Sequence, residues 1–157
     1  MDFDQADSIN QAVRLLSLRH RARIAELLAP LGLHPGQEAL LLELARTGPM
    51  IQAQLSDALG VERPSVTLMA RKLETAGHIR RTPAPDDQRA TVVELTDAGR
   101  ALTDQVKQLW RTLAQETVTG LDAETAARLP ALLRTMAGNV DTRRPHRRRT
   151  GPAHDGT

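Results

Sequence analysis

The residues best equipped for chemistry in this chain are its arginines and lysines, and they are unevenly placed. Residues 63–89 hold six basic side chains (Arg63, Arg71, Lys72, Arg80, Arg81 and Arg89) against three acidic ones (Glu74, Asp86 and Asp87). Residues 1–62 carry five basic and eight acidic groups, and residues 90–140 carry five and six. A compact basic segment inside a mildly acidic body predicts one positive face, the kind that meets phosphates. The pI of about 9.9 says less, because residues 141–157 alone hold five Arg against two Asp. Catalytic constellations are missing. The five His (20, 34, 78, 146 and 154) show no metal-ligand spacing such as His-Glu-x-x-His. Adjacent Asp86 and Asp87 diverge from a loop and make no acid–base pair. The chain has no Cys, which excludes disulfides, thiolate metal sites, cysteine nucleophiles and thiol redox sensing. The expectation is a binding protein, with no catalytic residues, no metal and no cofactor.

The elements that must position these arginines follow from composition and spacing. Of 157 residues, 23 are Leu and 22 Ala, against 8 Val and 4 Ile, and Phe3 and Trp110 are the two aromatics. That mixture favours helices over sheet. Apolar residues recur at helical spacing over residues 8–28 (Ile9, Val13, Leu16, Ile24, Leu27), and Pro30 with Gly32 ends the run. His34-Pro35 is expected to open a second helix, with Pro at its first position, running to about Gly48-Pro49. Residues 52–59 fit a third helix with Gly60 as a left-handed cap, and residues 64–76 a fourth. Residues 78–82 and 91–95 concentrate β-branched residues around the polar, turn-rich loop 83–89, which predicts a hairpin. Thr96 or Asp97 then caps a long helix through Leu102, Val106, Leu109 and Leu113. Asp122 caps a last one, in which Pro130 should produce a kink or a restart.

Two short helices joined by Leu59-Gly60-Val61-Glu62-Arg63 fit a helix-turn-helix, and a hairpin directly after the second helix makes it winged. On residues 64–76, Val66, Met69, Ala70 and Leu73 form one stripe and should face the core. Ser65, Thr67, Leu68, Arg71 and Lys72 then point outward, after an entry at Arg63 and Pro64. An outward Leu68 suits contact with a thymine methyl, though single exposed leucines are also common. At the hairpin tip, Arg89 suits the narrow, electronegative minor groove of A·T-rich DNA, and Asp87 could hold its guanidinium as a bidentate pair. Arg80 and Arg81 are placed to meet phosphates.

The run 86–100 (Asp-Asp-Gln-Arg-Ala-Thr-Val-Val-Glu-Leu-Thr-Asp-Ala-Gly-Arg) resembles the wing signature of the multiple-antibiotic-resistance-regulator (MarR) family: Asp-x-Arg-Ala/Ser, a short strand, then Leu-Thr-x-x-Gly. Upstream, residues 59–67 resemble that family's entry into the recognition helix, and Leu73-Glu74-x-x-Gly77 its exit. The resemblance is specific between residues 51 and 100 and follows element order over residues 8–140. It implies a homodimer with intertwined terminal helices, and a winged unit that binds a pseudo-palindromic operator on double-stranded DNA. It also implies a pocket where small effectors, often phenolic or anionic, alter DNA affinity. Two positions depart from the pattern. Glu62 stands where a small hydroxyl or Asp usually caps the recognition helix, and Leu68 where many members have a polar residue.

The expected architecture is therefore mainly α, of the α+β kind. Residues 1–32 and 97–140 would form a helical dimerisation domain, 33–96 a winged helix-turn-helix DNA-binding domain, and 141–157 a disordered basic tail. The surplus of Leu and Ala on the outer helices exceeds what one winged unit needs and fits burial against a second copy. His20, His34 and Trp110 are the candidates for an effector pocket, Trp110 alternatively packing at a helix junction. With no apolar run near 18 residues and an acidic start (Asp2, Asp4, Asp7), no membrane contact and a cytoplasmic location are expected. The competing functional class is a winged-helix protein-interaction module without specific DNA binding. Only a DNA reader should show steep salt dependence together with sequence preference.

Overall fold

The computed structural model describes residues 1–141. The basic tail expected over 141–157 lies, beyond Asp141, outside the described residues. The order of elements is α1 (Phe3–Leu28), a 3-10 turn (Ala29–Leu31), α2 (Gln37–Thr47), β1 (Met50–Ile51), α3 (Gln52–Leu59), α4 (Arg63–Thr75), β2 (Ile79–Pro83), β3 (Thr91–Leu95), α5 (Asp97–Val118) and α6 (Ala123–Asn139). The chain divides into two compact units, Met1–Thr117 and one beginning at Val118.

In the first unit, α1 starts five residues earlier than its apolar periodicity indicates. The cause is polar: the Asp2 side chain accepts the Gln5 amide at 2.8 Å, so a cap fixes the helix start. Only its C-terminal Ile24 and Leu28 are buried, while Ile9, Val13, Leu15, Leu16 and Leu18 are exposed. Helix α2 corrects a second expectation. Pro35 does not occupy its first turn; the helix begins at Gln37, after Gly36 at φ 103°. Side chains reach back to close that turn, with Gln37 Oε1 accepting the His34 amide at 2.8 Å and Glu38 Oε2 the Gly36 amide at 2.6 Å.

The core gathers Leu28, Leu40, Leu41, Leu44, Leu55, Val66, Ala70, Leu73, Ile79, Val93, Leu102, Val106 and Leu113. Each fully buried Leu or Val stabilises the fold by roughly 1.5–3 kcal/mol relative to exposure. Strand β3 is central in an antiparallel sheet ordered β1-β3-β2, with Ile79 opposite Leu95, Pro83 opposite Thr91, and Met50 opposite Val93. β1 is an addition to the expected hairpin. It is two residues long and follows Pro49, too short for alternation to register.

The β3–α5 corner is closed by one residue. Thr96 Oγ1 donates to the Gly77 carbonyl at 2.7 Å and accepts the Gly99 amide at 3.0 Å, while the Thr96 amide donates to the His78 carbonyl at 3.1 Å. Of the two expected caps, Thr96 is the one that acts. In the second unit, Asp122 caps α6 by accepting the Thr125 amide at 2.9 Å, and the helix continues through Pro130 without a restart. No residue of α6 is buried, and Leu132, Leu133 and Met136 are exposed.

Candidate nucleic-acid interface

Helices α3 and α4 meet through a turn that the sequence specifies locally. Gly60 takes the left-handed conformation, φ 65°, and buried Ser56 pins the far side by donating its hydroxyl to the Val61 carbonyl at 2.5 Å. Helix α4 then starts with Arg63-Pro64. Glu62 at the cap makes no side-chain capping bond, as its length and charge lead one to expect. The inner stripe is as the periodicity predicts, with Val66, Ala70 and Leu73 buried and Met69 half-buried. On the outside, Arg63, Pro64, Ser65, Arg71 and Lys72 are exposed, and Leu68 is 56% exposed.

Two outward assignments change in detail. Thr67 is half-buried, and its hydroxyl is committed: it donates to the Arg63 carbonyl at 2.9 Å and accepts the Gln52 side-chain amide at 2.8 Å. It ties α3 to α4 and leaves its methyl as the outward group. Ser65 is exposed but sits on the side of α4 that faces a cleft against α1 and α2.

The wing shows the same division between free and committed arginines. Arg80 pairs across the strands with Glu94 at 2.6 Å. Arg81 is half-buried and donates twice to Glu74 of α4, at 2.6 and 2.9 Å. The Arg81 guanidinium holds the Glu74 carboxyl below the usual carboxylate range. Arg81 thus braces the wing against the recognition helix. The tip is closed by Ala90 donating to the Asp87 carbonyl and Ala84 donating to the Ala90 carbonyl, both at 2.9 Å. Asp87 does not hold the Arg89 guanidinium. Its Oδ1 accepts the Arg89 main-chain amide at 2.9 Å, because two residues is the span of an Asx-type turn. Arg89 is exposed and makes no ion pair among the described residues. A groove of about 330 Å³ between wing and helix is lined by Arg63, Thr67, Asp87 and Arg89, together with the start of α3 at Gln52 and Ala53. Two unpaired guanidiniums and a helix N-terminus face it, a setting that favours anions.

A second cleft, about 810 Å³, opens between α1, α2, α4 and α5. His20, Arg21 and Ile24 line it from α1, Glu38 and Ala39 from α2, Ser65 and Met69 from α4, and Trp110 from α5. His20 and Trp110 both line this cleft. Trp110 is 42% exposed. His34 lies elsewhere, on a smaller cleft with His78. Glu38 was not legible as a site residue. It is only 6% exposed, and burial pushes its carboxyl up from the usual range against the hydrogen bonds that stabilise its charge. Its signal would have been a Glu inside an otherwise apolar helix stripe.

A helix-turn-helix followed by a sheet and a basic wing is a winged helix-turn-helix, a class whose second helix lies in a major groove. Residues 33–91 match the MarR family model. Multiple antibiotic resistance protein MarR of Escherichia coli K12 is 27% identical over 135 residues, 85% of this chain and 94% of that protein. The HTH-type transcriptional repressor NicR of Pseudomonas putida is 27% identical over 134 residues, 85% of each. A mutant of E. coli MarR complexed with operator DNA superposes with a TM-score of 0.76 at 27% identity, over 87% of this chain and 99% of that one. The transcriptional repressor CouR, bound to a 23-mer DNA duplex, gives 0.78 at 29% identity over 86% and 96%. The chain is thus similar to the MarR family, by the family model over residues 33–91 and by these relatives over most of its length. Among the described residues, no helix is long and apolar enough to cross a membrane.

Proposed function

We propose that this protein is a sequence-specific, double-stranded-DNA-binding transcriptional repressor. It acts in the cytoplasm as a homodimer on a pseudo-palindromic operator, and a small molecule modulates it. The observation that carries the reading is one surface that joins the outward side of α4 to a wing whose Arg89 guanidinium makes no ion pair among the described residues. Leu68, Arg71 and the Thr67 methyl read the major groove, with Ser65 at its edge. Arg89, presented by the Asp87 turn, enters the minor groove. Arg63, Pro64, Lys72 and Arg80 meet the backbone, and Arg81 positions the wing. The repressors NicR and CouR, and the DNA complexes of MarR and CouR, support the same reading.

Residues 1–32 and 97–140 act as the dimerisation domain, 33–96 as the DNA-binding domain. The exposed apolar residues of α1 and of α6, each considered on its own helix, support burial by a second copy. The effector enters the cleft lined by His20 and Trp110, where Ser65 and Met69 give it a direct hold on the recognition helix. Arg21 and His20 suit an anionic or phenolic molecule. The family is one of regulators, which supports reading the chain as a regulator and not an enzyme. Selection of genomic fragments by the purified protein tests the proposal. Enrichment of an inverted repeat with half-sites about one helical turn apart is the expected result. Recovery of unrelated fragments at background level overturns it in favour of an interaction module.

A further inference from the structure

Beside the DNA-facing surface and the effector cleft lies one further cluster, at the exit of the recognition helix, which shares only Lys72 with the DNA-facing surface. A cleft of about 190 Å³ is lined by Leu33, His34, Gln37, Lys72, Leu73 and His78. We propose that it binds a small tetrahedral oxyanion of the sulfate or phosphate type. Four observations converge on this. The polar lining consists of nitrogen donors: the Lys72 ammonium, the two imidazoles and the Gln37 amide, with no carboxylate among them. Gln37 Oε1 already accepts the His34 main-chain amide at 2.8 Å, which leaves the donor end of its amide for a ligand. His78 Nδ1 is buried and has no hydrogen-bond partner among the described residues. A buried ring nitrogen of this kind is costly unless it finds one. At about 30 Å³ per water, the space holds several waters, hence one oxyanion.

Glu74, two residues from Lys72 on α4, is spent on Arg81. The groups facing the two imidazoles are few. Gln37 comes from α2 and Lys72 from α4, and Thr96 and Gly99, neither titratable, pack on the His78 carbonyl from the β3–α5 corner. Lys72 supplies the positive charge, and the imidazoles and the Gln37 amide supply N–H donors. The ligand differs from the proposed effector in place and in chemistry, being compact, doubly charged and without an aromatic body.

The test is isothermal titration of the full chain with sulfate, at constant ionic strength set by chloride. The expected result is saturable binding of one sulfate per chain. His34→Gln with His78→Gln removes most of the binding. Should that double variant fail to fold, His34→Gln alone, at an exposed position, must still weaken binding severalfold. Non-saturable uptake, or unchanged affinity in the histidine variants, overturns the proposal.

Discussion

Substituting Gly99 by Ala probes the corner that fixes the wing to α5. A Cβ on Gly99 would lie 1.9 Å from the His78 carbonyl oxygen and 2.9 Å from its carbon, with Leu95 Cδ2 at 3.3 Å. The oxygen must retreat by more than an ångström to reach a distance that real contacts show. It cannot do so freely, because it accepts the Thr96 amide at 3.1 Å and belongs to the residue that leads into β2. Losing that hydrogen bond costs about 1 kcal/mol, and overpacking adds about 1–3 kcal/mol. The better helix propensity of Ala offsets about 1 kcal/mol. The balance is a destabilisation of roughly 1–3 kcal/mol. For a chain of this size that corresponds to a drop in Tm of roughly 3–10 °C. The assay is thermal unfolding followed by circular dichroism at one fixed protein concentration, since association shifts apparent stability. Gly138→Ala on α6 is the matched control, for nothing lies within 4 Å of its Cβ position, and it should leave Tm unchanged or slightly raised. A Gly99→Ala protein as stable as the wild type would refute the reasoning.

Arg89→Ala should weaken DNA binding by about 1–3 kcal/mol with an unchanged Tm, because the side chain is exposed and unpaired; affinity titration and a melt check both. Arg81→Ala should cost about 0.5–1 kcal/mol of stability. Glu74 is held below its ordinary range, so the wild-type advantage is present at neutral pH and fades as pH falls through the lowered value; melts at several pH values measure it. Glu38→Gln should show the opposite sign. The Glu38 carboxyl is pushed up by burial, so the wild type gains stability as pH falls and loses that gain as pH rises through the raised value. The variant's Tm relative to wild type should therefore be higher at about pH 7.5 than at about pH 4.

Much of the winged unit was legible because each of its features is local. The left-handed cap at Gly60, the inner stripe Val66–Ala70–Leu73 and the β-branched strands around a polar loop are all encoded within a few residues. The expectations that changed depend on side chains choosing among partners. Asp87 found the nearer main-chain amide of Arg89 in place of its guanidinium. Arg81 found Glu74 across the strand–helix junction. Thr67 turned its hydroxyl inward to Gln52, fifteen residues away. Spacing along a single element does not report such long-range choices. The pocket was half legible for the same reason: His20 and Trp110 carry visible chemistry, whereas Glu38 acquires its character from burial alone. His34 looked equivalent to His20 in sequence, but the turn at Gly32, φ 68°, carries the chain to a different cleft.

The central claim, that α4 and the wing read a DNA sequence, is tested most directly by equilibrium titration against two duplexes. One carries the selected inverted repeat and the other the same bases scrambled, each at about 50 and 200 mM salt. The account predicts tighter binding to the repeat at both concentrations. It also predicts a steep loss of affinity with salt on both duplexes, and a preference that Arg89→Ala reduces. Equal affinity for the two duplexes, or binding indifferent to salt, would contradict it.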